Sequence, residues 1–303
     1  DTTNTDPVTF TPIEDGERRY SGGGYQVAQA WAEEASGEDF ASLMDRLVLQ
    51  PIGMTASTFD QPLSNDQATG NVAEAFTGDQ EMVAGGWHIY PEQAAAGLWT
   101  TPSDYARFML ALMGAAKGDD TLGLSPQVAR EMTTPVANQY GLGMGLQFPQ
   151  GGDEPRWMHS GSNEGYRCTA MGFPDRDDVI VVMTNHPRGM QLLGEINRAG
   201  NKVYDWPRTP PMEVTRFNLS QTELEAFAGA YVREGETDVL FDVSVEGSDL
   251  FAQVRSFDYT FKLIPLSPTE FIDPGDLEKA TFTQTDGVWV MSSGQSNYIQ
   301  VEE

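Results

Sequence analysis

The spacing of apolar residues splits this chain into two parts. Helical and strand-like stretches mix as far as Trp206, and short alternating stretches dominate after it. In the first part, Tyr20-Ser21-Gly22-Gly23-Gly24-Tyr25 reads as a tight turn feeding a helix from Gln26 to Ala35, which Ser36-Gly37 stops. Phe40, Leu43, Met44, Leu47 and Val48 fall at helical spacing and predict a second helix, Phe40 to Leu49, ended by Pro51. Residues 60–93 have weak periodicity and predict a long irregular excursion with room for a short hairpin. A third helix follows, capped by Thr101 or Ser103, with Pro102 in its first turn and Asp104 complementing the dipole. Tyr105, Phe108, Met109 and Leu112 give it one buried face. Ser125-Pro126 begins a fourth helix running to Met132, and a fifth is expected from Gln191 to about Tyr204.

Strand patterns lie between these helices. Tyr140 to Leu146 alternates glycine with apolar residues and predicts a closely packed strand. Trp157-Met158-His159-Ser160-Gly161-Ser162-Asn163-Glu164-Gly165-Tyr166 reads as a strand interrupted by glycines and small polar residues. Alternation resumes through Phe173. Asp178 to Asn185 is a continuous apolar run, which predicts a central strand. Trp206-Pro207-Arg208-Thr209-Pro210-Pro211 reads as a linker, so the expected domains are 1–208 and 209–303. In the second, Ser220-Gln221-Thr222-Glu223 is a capping box for a short helix ending near Gly229. Alternation at Val239, Phe241, Val243 and Val245, then at Leu250, Ala252 and Val254, continues in later short runs. It predicts a small antiparallel barrel or sandwich.

Charge narrows the function classes. The 303 residues hold 45 acidic and 18 basic side chains, a net charge of −27. Such a surface repels nucleic acid and anionic lipid. It fits a salt-rich habitat or an acidic secreted protein. No apolar run has the length of a membrane span. The polar start at Asp1 fits a mature or truncated chain, and the expected compartment is periplasmic or extracellular. Cys168 is the one cysteine and reads as a small buried hydrophobe. His88, His159 and His186 are scattered, so no metal site or cofactor is expected, and His88 and His186 read as structural or exposed.

A strand bearing His159-Ser160-Gly161 with an open edge is a place to lay an extended acyl substrate. The bland alternative is a loop with a polar hairpin tip. Here the residues resemble a known family. Tyr20-Ser21-Gly22, Pro51-Ile52-Gly53-Met54, Ser57-Thr58-Phe59, Ala96-Gly97-Leu98, Ser103-Asp104 and His159-Ser160-Gly161 with Asn163 recur in order in it. This is the serine β-lactamase and penicillin-binding-protein superfamily. The similar branch is the class C-like group of D-Ala-D-Ala peptidases, D-aminopeptidases and esterases. The resemblance covers roughly residues 8–206. The tail resembles the small lipocalin-like β domain that often follows such enzymes. The implied fold is α+β: an antiparallel sheet flanked by helices, lacking its N-terminal segment, then a small antiparallel β-barrel.

The resemblance also implies roles. Serine is a poor nucleophile without a base, and Tyr20 matches the family's tyrosine base. Nearby cations must stabilise a phenolate. His159 is the candidate for positive charge, hydrogen bonds or a proton relay beside it. Ser160 would contact a substrate carboxylate or acyl chain, with Gly161 and Asn163 lining the same strand. The Ser162 N–H would supply half of an oxyanion hole. Trp99 lines the cleft or sits in the core.

Two departures qualify this. Gly22 stands where the family has asparagine, so a substrate-amide hydrogen bond is missing. No Ser-x-x-Lys exists: the residues three before Lys117, Lys202, Lys262 and Lys279 are Gly114, Ala199, Tyr259 and Asp276. Three readings follow: a companion polypeptide carries the serine, the chain is truncated, or it is a non-catalytic binding protein.

Overall fold

A computed structural model describes residues 8–301 apart from 11, 13–17, 71, 121, 138, 148–154, 207–212, 256–258, 275–278 and 295, with Gln191 described by its backbone alone. The chain forms two compact units, Asp1–Thr209 and Pro210–Glu303. The expected linker residues Pro207 to Pro211 lie outside the described residues.

In the first unit, α1 spans Gly22–Ser36. It starts earlier than expected because the Ser21 hydroxyl accepts a hydrogen bond from the Gly24 N–H at 2.9 Å. The glycine tract, expected as a turn, is therefore the first helical turn. The apolar side chains of α1 remain accessible, with Trp31 72% exposed. The expected second helix is α2, Phe40–Met44, continuing into a π-helical turn, Asp45–Leu49. The excursion over 60–93 holds α3, Asn65–Ala68, and an isolated bridge between Phe76 and Met82. Then come α4, Gln93–Ala96, and α5, Pro102–Lys117, which Thr101 caps. The α5 stripe buries Met109, Leu112 and Met113 completely. The fourth expected helix is α6, Pro126–Met132.

Four strands form one antiparallel sheet in chain order: β1 Gly145–Gln147, β2 Arg156–Asn163, β3 Tyr166–Phe173 and β4 Asp178–Thr184. Three strand expectations need correction. The Tyr140–Leu146 stretch contributes only its end to β1, because the Leu142 N–H bonds the Met132 carbonyl at 2.9 Å and draws the chain off the sheet. The glycines around His159 do not interrupt β2, which runs unbroken to Asn163 and turns at Glu164-Gly165. The run over β4, expected to be central, is at the end of the strand order among the described residues. Its apolar continuity has another cause. Val179 packs against the α5 core, while Ile180 packs with Met171, Phe173 and Trp206 on the opposite face. Both faces are covered, so both carry apolar side chains. α7, Gly189–Val203, covers the second face, where Gly200 lies against Ile180 and Trp206.

Trp206 closes this unit. It stacks on Phe173 and Tyr204 at 4.6 and 4.8 Å, and its indole N–H donates to Asp178 at 2.7 Å.

In the second unit, α8, Gln221–Glu225, carries the expected capping box from Ser220 and Glu223. The strands are β5 Gly229–Arg233, β6 Val239–Glu246, β7 Asp249–Val254, β8 Tyr259–Pro265, β9 Glu270–Ile272, β10 Lys279–Thr285, β11 Val288–Ser293 and β12 Ser296–Val301. They close into an antiparallel barrel in the order β10-β11-β12-β5-β6-β7-β8-β9. The choice between barrel and sandwich is thereby a barrel. Its interior is packed with side chains, among them Phe227, Tyr231, Leu250, Phe271 and Phe282. The Tyr231 hydroxyl donates to the Phe227 carbonyl at 2.8 Å, so the buried phenol is satisfied. Among the described residues, no helix is long and apolar enough to cross a membrane.

Candidate active site

β1 pairs with β2 only at Arg156, Trp157 and Met158. Among the described residues, β2 from His159 to Asn163 therefore has one free edge. Its other edge is paired to β3, with Ser160 opposite Thr169 and Gly161 opposite Cys168. Ser160 and Ser162 are exposed, whereas His159, Gly161 and Asn163 are half-buried. That is the alternation of a strand with one face packed. Gly161 has a steric reason to be glycine: a Cβ there would lie 2.7 Å from the Cys168 sulfur. Gly165 turns the chain at φ +75°, and a Cβ there would lie 2.5 Å from that of Ala75.

The middle of α1 is tied to this edge by a chain of polar contacts. Gln29 accepts from the Ala94 N–H at 3.0 Å, and its amide donates to Gln93 at 3.3 Å, fixing α1 to α4. The last residue of α4, Ala96, accepts from the Asn163 amide at 2.9 Å. Gly22 faces Ala95 with room for van der Waals contact only. Asn163 and Gly22 thus meet the same short helix.

Tyr20 is 69% exposed. The Arg18 guanidinium stands 5.6 Å from its ring centroid and 3.4 Å from that of Tyr140. Tyr140 bridges Gly145, and Gly145 pairs with Met158, the residue before His159. The Arg18 charge reaches His159. Burial, chiefly, and this charge push the His159 imidazole below the usual histidine range, opposed by a hydrogen bond to the Ser160 backbone. A lowered value favours the neutral ring at pH 7. The cation beside the Tyr20 ring is Arg18. Sequence reading missed Arg18 and Tyr140. The available signal was a cation two residues before Tyr20 in a strongly acidic chain.

Trp99 lies between Trp87 and Tyr166, with ring centroids 5.6 and 6.0 Å away and both contacts edge-on. Its indole N–H is buried, with no hydrogen-bond partner among the described residues. Trp99 also pairs through its backbone with Thr58 at 2.9 Å in both directions. The loop before Thr58 is held by Asp104, which is 2% exposed. That carboxylate accepts from the Ala56 N–H at 2.8 Å and the Ser57 hydroxyl at 2.9 Å, and pairs with Arg107. Asp104, expected to serve the helix dipole, anchors a loop as well.

Behind the strand, burial raises the Cys168 thiol above its ordinary value and pushes the Tyr105 phenol up to about 12. Both stay protonated at neutral pH, which disfavours Cys168 as a nucleophile. His88 is exposed, and His186 accepts from the Arg188 N–H at 3.1 Å in a turn. Among the described residues, no group of three or more His, Cys, Asp and Glu could hold a metal ion.

With this geometry established, the family comparison is decisive. The Beta-lactamase family model matches residues 6–204. The chain belongs to the beta-lactamase family. Two solved structures of similar fold extend the likeness over most of the chain. The octameric penicillin-binding protein homologue from Pyrococcus abyssi is 20% identical at TM-score 0.53, covering 95% of this chain and 66% of that one. SurE, solved with D-Leu, is 20% identical at TM-score 0.53, covering 93% and 67%. This beta-lactamase-family chain thus spans about two-thirds of the length of the proteins it resembles. No curated protein matches it.

Proposed function

We propose that this chain contributes the base, the substrate edge and half of the oxyanion hole of a serine hydrolase. Its reaction proceeds through an acyl-enzyme on a D-amino peptide, ester or amide. The supporting observation is the free edge of β2 from His159 to Asn163, tied through α4 to the middle of α1, the helix that follows Tyr20. An extended acyl group can lie along such an edge.

In this reading the serine comes from a Ser-x-x-Lys segment outside these 303 residues. Its hydroxyl attacks the substrate carbonyl and passes its proton to Tyr20. The new oxyanion takes hydrogen bonds from the Ser162 N–H and the serine's own N–H. His159, neutral, relays a proton beside Tyr20, and the leaving group departs protonated. Water then repeats the attack on the acyl-enzyme. Ser160 and Gly161 contact the acyl chain, Trp99 borders it, and Gly22 leaves a space where the family's asparagine would bind a substrate amide.

The rival reading is a non-catalytic ligand- or peptidoglycan-binding protein that keeps the cleft. The two separate in a turnover assay with a D-alanyl p-nitrophenyl ester. The hydrolase reading predicts no turnover by this chain alone and turnover when a Ser-x-x-Lys-bearing polypeptide completes it. No turnover in either arm refutes the hydrolase and leaves the binding protein.

A further inference from the structure

α1 carries its polarity in reverse. A surface helix ordinarily turns its apolar residues inward and its polar ones to solvent. In α1, Gly22, Gln26, Gln29 and Glu33 fall at i, i+4, i+7 and i+11 and so share one face. That face is the covered one. Gly22 lies against Ala95, and Gln26, Gln29 and Glu33 are half-buried. Val27 and Trp31, on the far side, are exposed, and no residue of α1 is buried. The helix therefore lacks the non-directional apolar packing that seats most helices. Directional hydrogen bonds set its place instead.

Few bonds do this. Glu33 accepts from the Phe40 N–H at 3.0 Å and holds the C-terminal end of α1 to α2. The Gln26 amide nitrogen is buried with no hydrogen-bond partner among the described residues. That leaves Gln29, which accepts from the Ala94 N–H at 3.0 Å and donates to Gln93 at 3.3 Å. Among the described residues, it is the one side chain of α1 that bonds α4. From its other side, α4 is fixed to the rest of the site. Gln93 donates to the Phe59 carbonyl at 2.8 Å, and the Ala96 and Gly97 carbonyls accept from Asn163 and Gln61, each at 2.9 Å. Gln29 is thus the junction between α1 and the frame that holds the β2 edge. Tyr20 directly precedes the Ser21 cap, so it moves with the helix. Gln29 stands about 12 Å along the helix axis from that cap. A small shift or tilt at Gln29 is carried to Tyr20.

We propose that Gln29 is a positioning residue for the reaction: its carboxamide sets where Tyr20 stands relative to the β2 edge. It acts through Tyr20 and touches neither substrate nor the reacting atoms. This rests on the hydrolase reading of that edge. The rival role for Gln29 is stability alone, which makes no distinction between substrate binding and the chemical step.

The test is steady-state hydrolysis of the D-alanyl p-nitrophenyl ester by the full chain completed with a Ser-x-x-Lys-bearing segment, with thermal unfolding measured alongside. Gln29→Met keeps the length of the side chain and loses both bonds. It is expected to lower kcat about 10- to 100-fold, the cost of a misplacement of about 1 Å. KM stays at the parent value, because the β2 edge itself is untouched, and the unfolding temperature stays close to the parent's. Gln29→Glu keeps an acceptor for the Ala94 N–H and recovers part of kcat. An unchanged kcat in Gln29→Met overturns the proposal and leaves the hydrolase reading intact. So does a loss of kcat that follows a fall in unfolding temperature with no recovery in Gln29→Glu, which is the signature of stability alone. If the completed parent shows no turnover, the proposal falls together with the hydrolase reading.

Discussion

In the proposed hydrolase, replacing Tyr20 by phenylalanine is expected to lower acylation by a serine-directed probe about 10²–10⁴-fold, the span of a lost general base. The change is confined to one oxygen. The side chain is 69% exposed, and the helix cap beside it belongs to Ser21, whose hydroxyl bond to Gly24 is untouched. Thermal unfolding of Tyr20→Phe should therefore match the parent, so that a rate loss reports chemistry rather than folding. The measurement is the pseudo-first-order rate of fluorophosphonate labelling of the serine of the Ser-x-x-Lys segment. An unchanged rate would remove Tyr20 from the mechanism and shift the base to His159.

Asp104→Ala has the largest expected effect on stability. The carboxylate is 2% exposed and serves the Ala56 N–H, the Ser57 hydroxyl and Arg107 together. Deleting it leaves the two loop donors without their acceptor, at a cost of about 3 kcal/mol. The Arg107 contribution is discounted, because that side chain is 52% exposed and screened by solvent. For a domain of this size the loss corresponds to a fall in Tm of roughly 6–12 °C. Asp104→Asn keeps an acceptor oxygen and should lose less. The same loop pairs with Trp99, so intrinsic tryptophan fluorescence should change in Asp104→Ala before global unfolding. Equal Tm values for the alanine variant and the parent would show that the loop is held by other contacts, such as the Ser57–Thr100 hydroxyl bond at 2.7 Å.

These two residues mark what the sequence could and could not convey. Thr101-Pro102 and Ser125-Pro126 announce α5 and α6 because caps and N-terminal prolines act locally. The capping box at Ser220 and the alternation after it announce the barrel's helix and strands for the same reason. The position of β4 was not legible. An apolar run records that Val179 and Ile180 meet cover on opposite faces, and says nothing of which strand lies alongside. The start of α1 was missed because three consecutive glycines carry low helix propensity. The Ser21 cap and the Gln29 contacts to α4, more than sixty residues away in sequence, override it. Tyr20, His159 and Asn163 could be singled out from motif order. Arg18 carried only the faint signal of a cation two residues before Tyr20, since its contact with Tyr140 exists only once β1 brings Tyr140 beside β2.

Intact-mass spectrometry after fluorophosphonate treatment of this chain completed with a Ser-x-x-Lys-bearing segment bears most directly on the proposed hydrolase. The account predicts a single adduct on the serine of that segment, and its loss when this chain is omitted. An adduct on any residue of the 303, or labelling of that segment that proceeds equally well without this chain, would contradict it.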